Sequence, residues 1–366
     1  MQIDQLWLQD FRTYEHLELT LPPGLTCVVG RNGIGKTNLL EAVGYAGTLE
    51  SFRHADSAAM VRVGAPRAIV RAAGMGLRKD VLVETEIRPQ ARGRTQLNRK
   101  RLTRTGDLLE RLKVSVFAPD DLTLIKGSPG ERRVFLDQGI VLLDHRYDAT
   151  RRDLGRVIKQ RNALLRGAKG RLNDETRLTL DVFDERLAAL GETLGAARLQ
   201  LLSDLTPFVQ QAYETLSAPD AESAVNQNHV NLAYQPAWLH EGLHAALERT
   251  RASDVQRGVT QVGPHRDDLA VLLSGLPSRS HASQGEQRSL ALALRLGIHL
   301  LATDRFGTPP ILILDDVFSE LDSYRSSALF AAIPPGQTLL STAVTLPPAA
   351  DPDLTLSATP GTVTPL

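Results

Sequence analysis

The residues Gly30-Arg31-Asn32-Gly33-Ile34-Gly35-Lys36-Thr37 fit the pattern G-x-x-x-x-G-K-[ST]. Glycines at this spacing let successive backbone N–H groups wrap phosphates, and a helix N-terminus adds partial positive charge. Lys36 is placed to reach β- and γ-phosphates, and Thr37 to ligate Mg²⁺. The bland alternative is a chance glycine loop before a helix, but the motif is complete and its context is right. Much later, Ile311-Leu312-Ile313-Leu314-Asp315-Asp316 is an apolar run ending in two acids. A buried strand that delivers carboxylates at its C-terminal end is how such folds hold Mg²⁺ beside a P-loop. Asp315 is the candidate for that metal-linked role, and Asp316 for polarising the attacking water. Alone, such a strand often just enters a polar loop; the P-loop upstream strengthens the functional reading.

A third stretch, Ala282-Ser283-Gln284-Gly285-Glu286-Gln287-Arg288, precedes a long apolar helix with Leu290, Leu292, Leu294, Leu296 and Leu300. Any helix might use it as a capping box, with Ser283 at the cap and Glu286 three residues on. The functional reading is that Ser283 and the Gly285 backbone bind a γ-phosphate presented by another subunit.

These residues need a scaffold, and the patterning supplies one. Leu6, Leu8 and Phe11, then Leu17, Leu19 and Leu21, mark two short alternating segments. Gly24–Val29 reads as a buried strand running into the P-loop, with a helix from Thr37 to Gly47 after it. Residues 60–87 read as several strands, and polar, basic 88–104 as a solvated loop or hairpin. From about Glu131 to Leu216 the pattern is helical, broken at 167–170 and 173–174. Leu180, Phe183, Leu187, Leu190, Leu194, Ala197 and Leu201 share one face. Two helices there would form a hairpin, each about 45 Å long if about 30 residues. The expected fold class is α/β: an ATPase head with a sequence-split sheet and an inserted helical arm. The expected divisions are 1–130 and 236–346 for the head, 131–235 for the arm, and 347–366 for a proline-rich tail in which Leu354-Thr355-Leu356 is a possible edge strand.

The chain has 366 residues, with 42 Lys plus Arg against 42 Asp plus Glu. No apolar run approaches the ~20 residues of a membrane span. The first residues show no basic-then-apolar leader, so cytoplasm is expected. One cysteine, Cys27, excludes an internal disulfide and a cysteine-built zinc site. The zero net charge hides a division. Residues 1–177 hold 31 basic against 21 acidic side chains, and the rest 11 against 21. Such asymmetry points to a nucleic-acid partner. Residues 88–133 hold 12 Lys/Arg against five acids, including Arg92, Arg94, Arg99, Lys100, Arg101 and Arg104. A second basic run, 145–177, holds ten against four. A charge run is often only a solvated face. Aromatic side chains are scarce in both runs, so duplex backbone is favoured over stacked single strand.

Together, the P-loop, serine-glycine helix, acidic strand end and Ser319-Glu320-Leu321-Asp322 resemble the motif set of ABC-type ATPase heads. The closer resemblance is to the RecF family, bacterial recombination mediators related to SMC heads. It is carried by Leu8–Tyr14, Phe117–Leu122, Lys126–Pro129 with Arg132-Arg133, and above all Gly263-Pro264-His265-Arg266-Asp267-Asp268-Leu269. The resemblance implies ATP and Mg²⁺ as cofactors, held by Gly30, Arg31, Asn32, Gly33, Ile34, Gly35, Lys36, Thr37, Asn38 and the N-terminal Arg12. Lys36, Asp315 and Asp316 would be catalytic. Ser283, Gln284, Gly285 and Glu286 would form a signature acting in trans, with Asp322 as the D-loop acid. It also implies an ATP-dependent homodimer with weak, DNA-stimulated ATPase activity, located at the nucleoid. The dimer would bind double-stranded DNA and single-strand/duplex junctions and load recombinase with RecO and RecR partners. Of the basic residues, Arg99, Lys100, Arg101 and Arg104 are the candidate DNA contacts. Departures from the pattern stand out. The signature is not Leu-Ser-Gly-Gly-Gln, Asp316 replaces a glutamate, Thr342 follows the strand where a switch histidine is expected, and only Pro119-Asp120-Asp121 lies near the Q-loop position. His265 with Asp267 and Asp268 invites a metal reading, but no second histidine has ligand spacing, which favours a structural or inter-subunit role. A transporter motor subunit or an SMC-like organiser would share the head; the helical insertion disfavours the first and the short arm the second.

Overall fold

The computed structural model describes residues 1–91, 93–217, 229–344, 346 and 350–366. The chain divides into two compact units. The first is Met1–Leu122, Phe208–Asn226 and Gln284–Leu366; the second is Thr123–Pro207 and Gln227–Ser283.

In the first unit, alternation yields antiparallel strands. Gln2–Phe11 and Tyr14–Thr20 pair, with Leu6, Leu8, Phe11, Leu17 and Leu19 buried. They join Ala68–Met75, Asp80–Ile87, Arg94–Leu97 and Lys100–Arg101 in one six-stranded sheet. The second six-stranded sheet has at its centre apolar runs buried on both faces. Its order is Thr362–Pro365, Leu354–Thr359, Leu25–Val29, Thr338–Thr342, Ile311–Asp315 and Val114–Phe117. All neighbours are parallel except the C-terminal hairpin. Parallel strands covered on both faces read as continuous hydrophobic stretches, which is why Ile311–Asp315 shows no alternation. The helix Lys36–Thr48 places Leu39, Leu40 and Val43 in a core shared with strands of both sheets. Buried Gln337 ties the sheets at one edge: its amide oxygen accepts from the Ile3 N–H at 2.7 Å, and its amide nitrogen donates to the Ile3 and Pro22 carbonyls.

In the second unit, Ser128 caps the helix Pro129–Leu143, accepting from the Gly130 N–H. Tyr147–Gly167 and Asp174–Leu216 follow, with Leu165, Leu180 and Val255 in a small core. The helices expected at about 30 residues each are 21 and 43 residues long. The longer one contains Pro207, where the chain passes from the second unit to the first. A three-stranded antiparallel sheet of Val230–Tyr234, Leu269–Leu273 and Leu276–Pro277 completes the unit with the helix Leu243–Arg257.

Two expectations need correction. Residues 236–283, assigned to the head, pack with the arm instead, because Leu269–Leu273 pairs with Val230–Tyr234. The tail strand Leu354–Thr359 is not an edge. It lies between Leu25–Val29 and Thr362–Pro365. The polar stretch 218–235 admits a loop or an exposed strand with its connections; residues 218–228 of it lie outside the described residues, and Val230–Tyr234 is a strand with Val230, Leu232 and Tyr234 buried.

Candidate nucleotide-binding site

The P-loop leaves the strand Leu25–Val29 and enters the helix Lys36–Thr48. Gly30, Gly33 and Gly35 have φ of 155°, 79° and 116°, values in or beside the left-handed region that side chains disfavour. Gly35 caps the helix with no side-chain bond, and the first turn holds no acid, so its N–H groups and dipole are left for an anion. Lys36 is buried and folds back over the loop. Its Nζ donates to the carbonyls of Gly30 at 2.7 Å and Arg31 at 3.1 Å, and to Asn32 Oδ1 at 3.3 Å. Behind the loop, the Tyr14 hydroxyl donates to the Gly35 carbonyl at 3.0 Å. Burial pushes the Tyr14 phenol up to about 12, so it stays a donor at neutral pH. Asn38 Nδ2 donates to Thr13 Oγ1 at 3.1 Å, and its Oδ1 accepts from Arg53 at 3.3 Å.

The acids arrive on the same sheet, one strand away. Asp315 pairs in register with Ser341, and Thr342 of that intervening strand with Val29. Thr37 Oγ1 and Ser341 Oγ both donate to Asp315 Oδ1, at 2.9 and 2.6 Å. Burial raises the Asp315 pKa, the two hydroxyls pull it down, and the neighbouring Asp316 charge raises it again. Asp316 itself turns out of the strand with a left-handed φ of 49°. Its N–H is shared between the carbonyl and hydroxyl of Ser341, while its Oδ1 is buried without a hydrogen bond among the described residues. An unpaired buried carboxylate oxygen is costly unless something binds it. The Thr37 hydroxyl and Asp315 carboxylate are hard oxygen donors of the kind Mg²⁺ takes beside a triphosphate, so the residues present fit that ion.

A pocket of ≈ 620 Å³ opens over the loop, lined by Thr13, Arg31, Asn32, Gly33, Ile34, Pro360 and Gly361. The last two belong to the turn of the C-terminal hairpin, for which sequence reading assigned no role. Ser341, Tyr14 and Arg53 were likewise missed, although Tyr14 lies within the Leu8–Tyr14 stretch that carries the family resemblance.

Other expected residues fall elsewhere. The Arg12 guanidinium makes two bonds to the buried Glu41 carboxylate, at 2.7 and 2.8 Å, and one to the Ala59 carbonyl. The pair keeps the buried Glu41 carboxylate from standing alone, which would be expensive. Ser283 and Gln284 are exposed at the start of the helix Gln284–Phe306, with Gly285 and Glu286 half-buried behind them. Asp322 caps the following helix, Ser323–Ala332. Asp121, beside the Q-loop position, accepts from Arg295 of the helix Gln284–Phe306 at 2.8 Å. Thr342, at the switch position, bonds to the Val344 carbonyl. Arg99, Lys100, Arg101 and Arg104 are exposed on and after a tight hairpin whose turn residues Asn98 and Arg99 are both left-handed.

The stretch Gly263–Leu269 is scaffold. His265 Nε2 lies 3.1 Å from the Thr260 carbonyl, and burial lowers the ring's pKa to about 4. Asp267 accepts from the Tyr234 hydroxyl at 2.5 Å and from Trp238 Nε1, while Asp268 pairs with Arg132 at 2.7 Å. No cluster of three or more His, Cys, Asp or Glu able to hold a metal occurs among the described residues.

Comparison with known proteins agrees with this geometry. The model of the RecF/RecN/SMC N-terminal domain matches residues 2–339. The DNA replication and repair protein RecF of Streptomyces avermitilis is 45% identical over 356 residues, covering 94% of this chain and 93% of its own. That of Frankia alni is 45% identical over 358 residues, with the same coverage of each chain. A solved structure of the recombination mediator protein RecF with ATP superimposes with a TM-score of 0.88 at 26% identity, covering 100% of this chain and 97% of that one. An SMC head bound to the winged-helix domain of ScpA shares the fold at a TM-score of 0.58 and 16% identity, over 100% of this chain and 97% of that one. A P-loop facing a strand-end acid pair, within a match spanning nearly the whole chain, makes this protein a member of the RecF family of ABC-type ATPases.

Proposed function

We propose that this chain is an ATP-gated DNA clamp of recombinational repair, and that Mg-ATP joins two copies of it on duplex DNA beside single-stranded gaps. The observation that carries the reading is the Thr37–Asp315 pair, with the unbonded Asp316 oxygen next to it, at the mouth of a P-loop. The phosphates of ATP would enter the N–H cradle of residues 30–37, and Lys36 Nζ would exchange loop carbonyls for phosphate oxygens. Thr37 and Asp315 would hold Mg²⁺, which offsets phosphate charge when bound. Asp316 would orient the attacking water and accept its proton; with one methylene less than glutamate, it supports a slow, timing hydrolysis. Ser283 and the Gly285 backbone of a second copy would close on the γ-phosphate, and Asp322 would stand at that junction.

The basic hairpin supports the DNA partner. Arg99, Lys100, Arg101 and Arg104 are exposed, and no ion pair holds them among the described residues. Phosphate contacts need such cations and give sequence-independent, salt-sensitive binding. The RecF relative whose structure is described as part of the RecFOR pathway supports RecO and RecR as partners and recombinase loading as the outcome. The place of action would be the cytoplasmic nucleoid. No helix of the described residues is long and apolar enough to cross a membrane.

The test is to mix the protein with ATP and a short duplex and measure mass and ATPase rate together. An ATP-dependent dimer whose hydrolysis rises with DNA is expected. A monomer under all conditions, with hydrolysis unmoved by DNA, would sink the clamp.

A further inference from the structure

Asp322 and Gly285 are read above as two separate elements that a partner's nucleotide site meets. In the fold they share one side chain. Arg325 donates its backbone N–H to Asp322 Oδ1 at 2.8 Å and a guanidinium nitrogen to Asp322 Oδ2. Its Nε donates to Ser289 Oγ at 3.0 Å, one turn into the helix that Gln284 begins. The same guanidinium lies under the first turn of that helix: a Cβ built on Gly285 would stand 3.1 Å from Arg325 Nη2.

An exposed i,i+3 ion pair stabilises little by itself. Here the arginine side chain is only 19% exposed, and its second partner, Ser289, is 1% exposed. The pairing also lowers the Asp322 pKa, through the Arg325 N–H first and its side chain after, so the acid stays charged. A planar, multi-donor guanidinium can hold both partners at fixed angles, which a lysine ammonium cannot. The glycine follows from the same geometry. Gly285 has no unusual φ, so close approach of Arg325, not backbone strain, is what asks for the missing side chain.

We propose that Arg325 is a positioning residue that fastens the Asp322 loop to the first turn of the helix Gln284–Phe306, so that both meet a partner copy's nucleotide as one rigid element. This rests on the dimer reading given above and adds to it the residue that aligns the parts acting in trans. Nothing in it involves the P-loop, so binding of ATP by a single copy is predicted to be independent of Arg325.

The experiment compares wild type, Arg325→Met, Arg325→Lys, Ser289→Ala and Ser283→Arg. Three readouts are taken on each: thermal midpoint, affinity for a fluorescent ATP analogue at concentrations where the protein is monomeric, and the ATP-dependent dimer constant. Arg325→Met should bind the analogue within about twofold of wild type but weaken the dimer roughly tenfold or more, the scale of one lost charge-assisted hydrogen bond. Arg325→Lys should recover only part, and Ser289→Ala should show a smaller loss of the same kind. If Arg325→Met proves unstable, Ser289→Ala and Arg325→Lys carry the comparison. Ser283→Arg is the control for the dimer itself. Should it block dimerisation while every Arg325 and Ser289 variant dimerises like wild type, the role of Arg325 is overturned and the clamp stands. Should wild type bind the analogue and never dimerise, the clamp falls and takes this role with it.

Discussion

The P-loop side of the first unit and the polar interior of the second hold comparably unusual residues, yet they treat charge in opposite ways. In the second unit, fully buried Arg161 bonds Asp184 at 2.6 Å, Asp254 at 2.7 Å and Thr260 at 2.9 Å. Arg198 bonds Asp137 and the Pro264 carbonyl, and Asp267 takes Tyr234 and Trp238. In the nucleotide-binding part the bonds are provisional. Lys36 leans on loop carbonyls, and an oxygen of Asp316 has no hydrogen bond among the described residues. Buried charges that neutralise one another describe a scaffold; charges left without a fixed partner at the end of a sheet describe a site.

The widest separation between the two regions should come from Lys36→Met. Its acceptors at Arg31 and Asn32 are exposed loop groups that water can satisfy, so the unfolding midpoint should move little. Nucleotide affinity should fall by on the order of a hundredfold or more, because the charge that meets the β- and γ-phosphates is gone. Equilibrium binding of ATP alongside a urea titration checks both halves; retained affinity would remove the P-loop assignment.

Arg161→Met should show the mirror image. It strands Asp184 and Asp254 in the interior, and removing one partner of a buried pair costs about 3–5 kcal/mol. Arg251, which also bonds Asp184, softens that loss without reaching Asp254. ATP affinity of the folded variant should stay within about twofold, as distant sites are nearly independent. An unfolding curve unchanged from wild type would mean that the network is not the scaffold described here.

How much of this was legible in the sequence follows from the range of the interactions. The P-loop and the strand ending in Asp315-Asp316 are local patterns, read from a few neighbouring residues and a strand–loop–helix context. The ion pair of Arg12 leaves no local mark, because its partner, Glu41, sits 29 residues away on a helix whose orientation no spacing reveals. The C-terminal strand was noticed, but its place beside Leu25–Val29 comes from pairing across more than 300 residues, which leaves no local mark. The same is true of Gly263–Leu269. Its lack of a second histidine at ligand spacing favours a structural or inter-subunit role, but the partners that hold it, Arg132, Arg198, Tyr234 and Trp238, lie on other elements and leave no mark in the stretch itself.

That misplaced strand offers a finer cut. Pro360 faces the pocket over Arg31 and Asn32, on a hairpin that sequence alone left without a role. Pro360→Glu places a carboxylate at the mouth of an anion site, and repulsion near a protein surface of about 1 kcal/mol gives roughly a fivefold weaker nucleotide. The defect should shrink as salt is raised, since exposed charges are screened. A salt-independent loss would indicate a distorted hairpin, and no loss would place the nucleotide away from this turn.

The smallest effect tests the rule where it fails within the first unit. His299 is buried on the helix Gln284–Phe306, and neither ring nitrogen has a hydrogen-bond partner among the described residues. Desolvation alone lowers its pKa to about 4. From about pH 7.5 upward the ring is neutral both folded and unfolded, and the histidine adds no pH dependence. As pH falls toward 4 the unfolded chain takes up a proton that the fold refuses, so stability is lost. His299→Leu removes two unpaired polar atoms and should stabilise the protein by about 1 kcal/mol at pH 7.5. Its advantage should widen between pH 6.5 and 4, while His265 and the carboxylates, common to both proteins, cancel in the difference. Parallel stability curves for the two proteins would show that His299 is protonated inside the fold. It would then be a titratable group that the fold accommodates, not a polar atom stranded in the scaffold.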